Sequence, residues 1–109
     1  MVGAESRYRP SMRYAVIAPT AAGTTADPAW MSDWAQHVES CGFDEVVVVE
    51  HSVVMSRYSS VYPYDPSGRM DLADDVSIPD PLDLLAFLAG RTTTLGLATG
   101  VLVDRKSVV

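Results

Sequence analysis

The sequence has one cysteine, Cys41, and so no intrachain disulfide. That usage fits a reducing compartment such as the cytoplasm. Positive charge is also scarce: 8 Lys and Arg stand against 14 Asp and Glu, a net charge of −6. Neutralising phosphates needs clustered Lys and Arg, so this balance argues against a nucleic-acid partner and against anionic membrane surfaces. No apolar run approaches the ~20 residues of a membrane span. Arg7, Arg9 and Arg13 ahead of Tyr14–Pro19 imitate a secretion leader, but the apolar stretch is too short and reads better as a strand. Histidine occurs twice, as His37 and His51, with no His-x-His pair, so a zinc-type ligand set is lacking and a metal-dependent hydrolase is disfavoured. There is no Gly-x-Gly-x-x-Gly fingerprint, no phosphate loop with Lys and no Ser or Cys nucleophile motif. Cys41 itself reads as a packing residue at a helix end.

What is present is an ordinary globular composition. Of the 109 residues, 48% are apolar and 20% charged, enough apolar surface to offset chain entropy in one domain. Residues 1–11 are polar and read as an N-terminal arm. Tyr14–Ala18 is a short apolar run closed by Pro19, a first strand. Asp27-Pro28 starts a helix, with Asp27 as N-cap and Pro28 at the first helical position. Met31, Trp34, Ala35 and Val38 give that helix one apolar face, and Gly42 ends it as a left-handed cap. His37 is expected at its surface, and Trp30 and Trp34 as core or interface residues.

Val46–Val49 is a run of four valines without alternation, which predicts a strand buried on both faces, as in a parallel sheet covered by helices. Glu50-His51 closes it. Ser52–Pro79 is long and irregular, and such loops usually carry function or disorder. Its Tyr58, Tyr62 and Tyr64 favour function, as a mobile lid whose rings can stack on a planar ligand. Asp80-Pro81 repeats the earlier helix start. Leu82, Leu85, Ala86 and Ala89 are read as the inward stripe of that helix, widened by Leu84, Phe87 and Leu88, and Gly90 ends it. Leu95–Val103, interrupted at Gly100, reads as a third strand.

Alternating strands and helices predict an α/β fold with a parallel sheet. In such sheets ligands bind beyond the C-terminal ends of the strands. That rule selects Pro19-Thr20, Glu50-His51 and Thr99-Gly100-Val101. His51 is the foremost candidate for acid–base work, because imidazole titrates near neutral pH. Glu50, on the opposite face, is expected to pair with a loop or helix group instead.

Several segments in order then resemble the N-terminal third of the luciferase-like monooxygenases, above all their deazaflavin-dependent branch. They are "AQHVESCGF" at Ala35–Phe43, "DEVVVVEH" leading to His51, "YPYDPSGRM", and "IPDPLDLLAFLAGRTTTLGLATGVLV" at Ile78–Val103. The resemblance covers residues 12–103. It implies a partial TIM (β/α)₈ barrel made of the first three βα units. It also implies a cofactor, FMN or the deazaflavin coenzyme F-420, at the barrel's C-terminal face, and oxidation or reduction of a small organic substrate. His51 matches the strand-two position that lines the pocket, and Thr99, Gly100 and Val101 match the segment lying against the ring. A strand bulge or cis peptide at Gly100-Val101 is expected in a cofactor-bound barrel, and a relaxed trans bond in this chain. After Val103 the residues 104–109 diverge, and the family's later βα units and phosphate-binding region do not follow. The chain is therefore expected to be an N-terminal fragment with open strand edges, and hence a homo-oligomer. The alternative is a non-catalytic remnant that self-associates without cofactor.

Overall fold

The computed structural model describes residues 12–50, 56–73 and 75–103. The elements run β1 (Ala15–Ile17), a 3₁₀ turn (Thr20–Ala22), α1 (Pro28–Ser40), β2 (Glu45–Val48), α2 (Pro81–Ala89) and β3 (Gly96–Thr99). The strands form one parallel sheet in the order β1-β2-β3, with Val16 beside Val46 and Val46 beside Leu97.

Both helices begin as the local chemistry dictates. The Asp27 carboxylate accepts the Trp30 N–H at 3.0 Å, and Pro28 follows at the first position. The Asp80 carboxylate accepts the N–H groups of Leu82 and Asp83 at 2.9 and 3.2 Å, ahead of Pro81. Each cap satisfies donors that the first helical turn leaves free. Past α1, Gly42 takes the left-handed conformation, φ 87°.

One core joins the helices to the sheet. Met31, Ala35 and Val38 of α1 and Leu84 and Leu88 of α2 pack with Val46 and Val48 of β2, together with Ala18 and Leu95. Both helices pack on one face of the sheet, as crossovers of one hand in the same direction of sheet growth require. The single shared core is the result.

Three sequence expectations change here. The β2 strand is not buried on both faces: Val46 and Val48 are buried, whereas Glu45 and Val47 are half-buried. Helices cover only one side of the sheet, so the other side keeps Ile17 62% exposed. The α2 face also differs. Pro81, Leu84 and Leu88 are buried, while Leu82 is 54% exposed and Ala86 and Ala89 lie outside. Finally, β3 ends at Thr99 rather than Val103, because β2, its only partner among the described residues, ends at Val48, opposite Thr99.

Cys41 is exposed rather than packed, with its Sγ 3.5 Å from Nε2 of the exposed His37. Trp30 and Trp34 stack at 6.3 Å, and Trp34 packs against the core. No helix among the described residues is long and apolar enough to cross a membrane.

Candidate functional site

Parallel strands bring their C-terminal ends to one edge. There the chain leaves β1 through Ala18-Pro19, β2 through Val49-Glu50 and β3 through Gly100-Val101. Pairing continues one residue past the outer strands: Ala18 N–H donates to the Val47 carbonyl at 2.9 Å, and Gly100 N–H to the Val48 carbonyl at 2.8 Å.

Side chains alternate across a sheet. The register therefore puts Ile17, Val47 and Ala98 on the uncovered face, and Val46, Val48 and Leu97 on the helix face. Gly100 falls on the uncovered face. A Cβ placed on it would lie 3.2 Å from Val47 Cγ1, 3.5 Å from Val49 Cγ1 and 3.6 Å from the Val48 carbonyl. Any side chain there would crowd the two valines, so glycine keeps this corner flat. With Ala98 two residues before it, the end of β3 offers a low apolar floor. That floor suits one face of a planar ring.

Of the residues selected from the sequence, Thr99, Gly100 and Val101 all lie at this edge and are exposed. Thr99 follows the pleat to the helix side with Val48, so the three do not present side chains to one face. All peptide bonds among the described residues are trans. His51 lies outside the described residues.

Glu50 is 8% exposed, and its carboxylate accepts the Val103 N–H at 2.6 Å. It thus ties the segment after β2 to the segment after β3, the pairing with a loop group that its position implied. Two further residues at this edge were not singled out from the sequence. Thr24 and Thr25, in the β1–α1 loop, carry buried hydroxyl oxygens without a hydrogen-bond partner among the described residues, and Thr25 is only 2% exposed. Burial is a long-range property, and nothing in the run Ala21–Ala26 signals it.

The tyrosines sit on the β2–α2 segment, which has no helix or strand among its described residues before Pro81. The Tyr58 hydroxyl accepts the Met70 N–H at 2.9 Å, and the Arg69 guanidinium lies 4.8 Å above the Tyr58 ring. Tyr62 and Tyr64 meet edge to face at 5.5 Å, and Tyr64 is 85% exposed. The Tyr62 N–H donates to the Gly68 carbonyl at 2.7 Å, which closes the segment on itself. Tyr58 is thus engaged with Met70 and Arg69, and Tyr62 and Tyr64 with each other.

At the opposite edge a carboxylate does structural work. Glu39 of α1 accepts the N–H groups of Thr93, Thr94 and Leu95, its Oε2 at 2.9, 2.7 and 2.8 Å. Donors to its charged form, Thr94 first and then Thr93, hold its pKa below the ordinary 4.5. Gln36 adds a bond from Nε2 to the Arg91 carbonyl at 3.0 Å. These contacts fix the turn that feeds β3.

A three-strand parallel sheet with helices between its strands is an α/β arrangement consistent with a partial βα repeat. The chain belongs to the luciferase-like monooxygenase family, whose family model matches residues 12–104. That family consists in general of flavin-type oxidoreductases. No curated protein and no solved structure matches the chain.

Proposed function

We propose that these βα units are the first sector of a (β/α)₈ barrel that oxidises or reduces a small organic substrate with FMN or the deazaflavin coenzyme F-420. The reading is supported above all by the strand order. Sequential β1-β2-β3 growth with both helices on one face is the arrangement that the first units of a barrel would have. One half of a doubly wound sheet has the same order, and the family match over residues 12–104 favours the barrel.

The uncovered face then points into the barrel. Val47, Val49, Ala98 and Gly100 would receive the ring there, and Val101 would buttress its edge. When bound, the ring system supplies a carbon or nitrogen that accepts or gives hydride. The chain's own groups position it. Gly100 allows close approach, Ala98 and the valines exclude water, and Glu50 holds the β2 and β3 exits together through Val103. His51, next after Glu50, is the proposed acid–base or hydrogen-bonding group, holding a proton at one imidazole nitrogen. The β2–α2 segment with Tyr58, Tyr62 and Tyr64 acts as a lid. The setting is cytoplasmic, and the working form is a homo-oligomer.

The test is a fluorescence titration of the purified chain with FMN and with F-420. Saturable binding at micromolar concentration by either supports the reading. Failure of both supports a self-associating remnant without cofactor, which the one-sided pairing of β1 and β3 would favour. In a longer family member with the same segment, His51→Ala should cut turnover by about a hundredfold. A loss under about threefold would leave His51 a structural residue.

A further inference from the structure

We propose that the β2–α2 segment carries an anion-binding site, formed by Arg57, Tyr58, Ser59, Ser60 and Arg69, for a phosphate or carboxylate group of a ligand. Arg57, Tyr58, Ser59 and Ser60 line a surface depression of about 560 Å³. The Arg69 guanidinium lies 4.8 Å from the ring centre of Tyr58, one of these lining residues. Tyr58 is anchored by the Met70 N–H at 2.9 Å, so the ring beneath Arg69 is held in place.

Charge bookkeeping makes these guanidiniums unusual. The chain carries 14 acidic groups against 8 basic ones. Yet the ion pair found among the described residues joins Arg13 to Glu45, and neither Arg57 nor Arg69 takes part in one. Asp65, the acid between them in sequence, is turned onto the Ser67 N–H at 2.8 Å. Asp80 is spent on capping α2. A guanidinium stacked on a ring uses its face and keeps its edge donors free. Arg57 adds a second planar fork, and Ser59 and Ser60 add hydroxyl donors. Such a set matches the oxygens of a phosphate or carboxylate. The segment follows β2, which ends at the C-terminal edge of the sheet. The site rests on no assumption about which ring system binds there.

The probe is inorganic pyrophosphate, titrated into the full chain by calorimetry at low ionic strength. Saturable binding is expected, weakened about tenfold or more in Arg57→Gln/Arg69→Gln. Arg13→Gln, at the opposite edge, should leave it unchanged. Arg57→Lys should recover only part of the affinity, because the charge remains and the fork is lost. Circular dichroism of each variant checks folding, and the Lys variant serves if the Gln variant does not fold. A parallel comparison of FMN with riboflavin identifies the source of the anion. If Arg57→Gln removes the advantage of FMN, the anion is the cofactor's phosphate; an unchanged ratio with pyrophosphate binding intact places it on the substrate. No saturation by pyrophosphate, or an equal loss in Arg13→Gln, would overturn the site. Neither outcome depends on flavin binding, so this proposal and the cofactor reading fail separately.

Discussion

At the scale of single residues, two glycines of the third strand region separate stability from binding. A Cβ on Gly96 would lie 2.9 Å from the Asp44 carbonyl oxygen, and backbone cannot easily yield. Gly96 N–H also donates to that same carbonyl at 2.9 Å. Gly96→Ala should therefore cost about 1–3 kcal/mol, as overpacking usually does, read from urea unfolding. At Gly100 the tightest neighbour is Val47 Cγ1 at 3.2 Å, the tip of a side chain facing the open side. Gly100→Ala should cost less stability than Gly96→Ala but weaken cofactor binding more. A reversed order of the two effects would contradict the assignment of Gly100 to the site.

At the scale of elements, the Glu39 clamp makes a pH prediction. The folded protein holds this carboxyl below its ordinary 4.5, chiefly through the N–H groups of Thr94 and Thr93. A depressed folded value means the protein gains stability above the unfolded pKa and loses it as pH falls through the folded one. Acid unfolding of the native chain should thus steepen below about pH 4.5. Glu39→Gln should lower the thermal midpoint at pH 7 and flatten that acid slope. An identical slope in both proteins would remove Glu39 as its source.

The elements also show what sequence can reveal. The helix starts were legible because caps are local: Asp27-Pro28 and Asp80-Pro81 carry their own donors, acceptors and torsions. The buried face of α1 was legible because Ser32, Asp33, Gln36, His37, Glu39 and Ser40 leave Met31, Ala35 and Val38 at helical spacing on one side. In α2 only Asp83 is polar within Pro81–Ala89, so periodicity had little contrast with which to choose Leu84 over Leu82. Strand ends were overrun because they depend on the partner: β3 stops opposite the last residue of β2. The Glu39 clamp spans 54 to 56 residues of sequence and leaves no local mark beyond the Thr-rich turn. The candidate edge at Thr99-Gly100-Val101 followed from the strand-end rule, whereas the buried hydroxyls of Thr24 and Thr25 required the packed loop.

At the scale of the whole molecule, the sheet is one-sided. Among the described residues β1 and β3 each pair along one edge only, and Ile17 stands exposed on the uncovered face. Open edges and apolar sheet faces promote association between chains. The 109-residue chain should sediment as oligomers or aggregates at micromolar concentration. A single monomeric species with a cooperative thermal transition would count against this.

The central claim is that the uncovered face at the C-terminal strand ends receives the flavin or deazaflavin ring. Hydrogen exchange read by mass spectrometry, with and without saturating FMN or F-420, tests it most directly. Slowed exchange is expected in peptides covering Val47–Glu50 and Ala98–Val101, with no change at the Glu39 clamp around Arg91–Leu95. Protection confined to the helix layer or the clamp, with the strand ends unchanged, would contradict it.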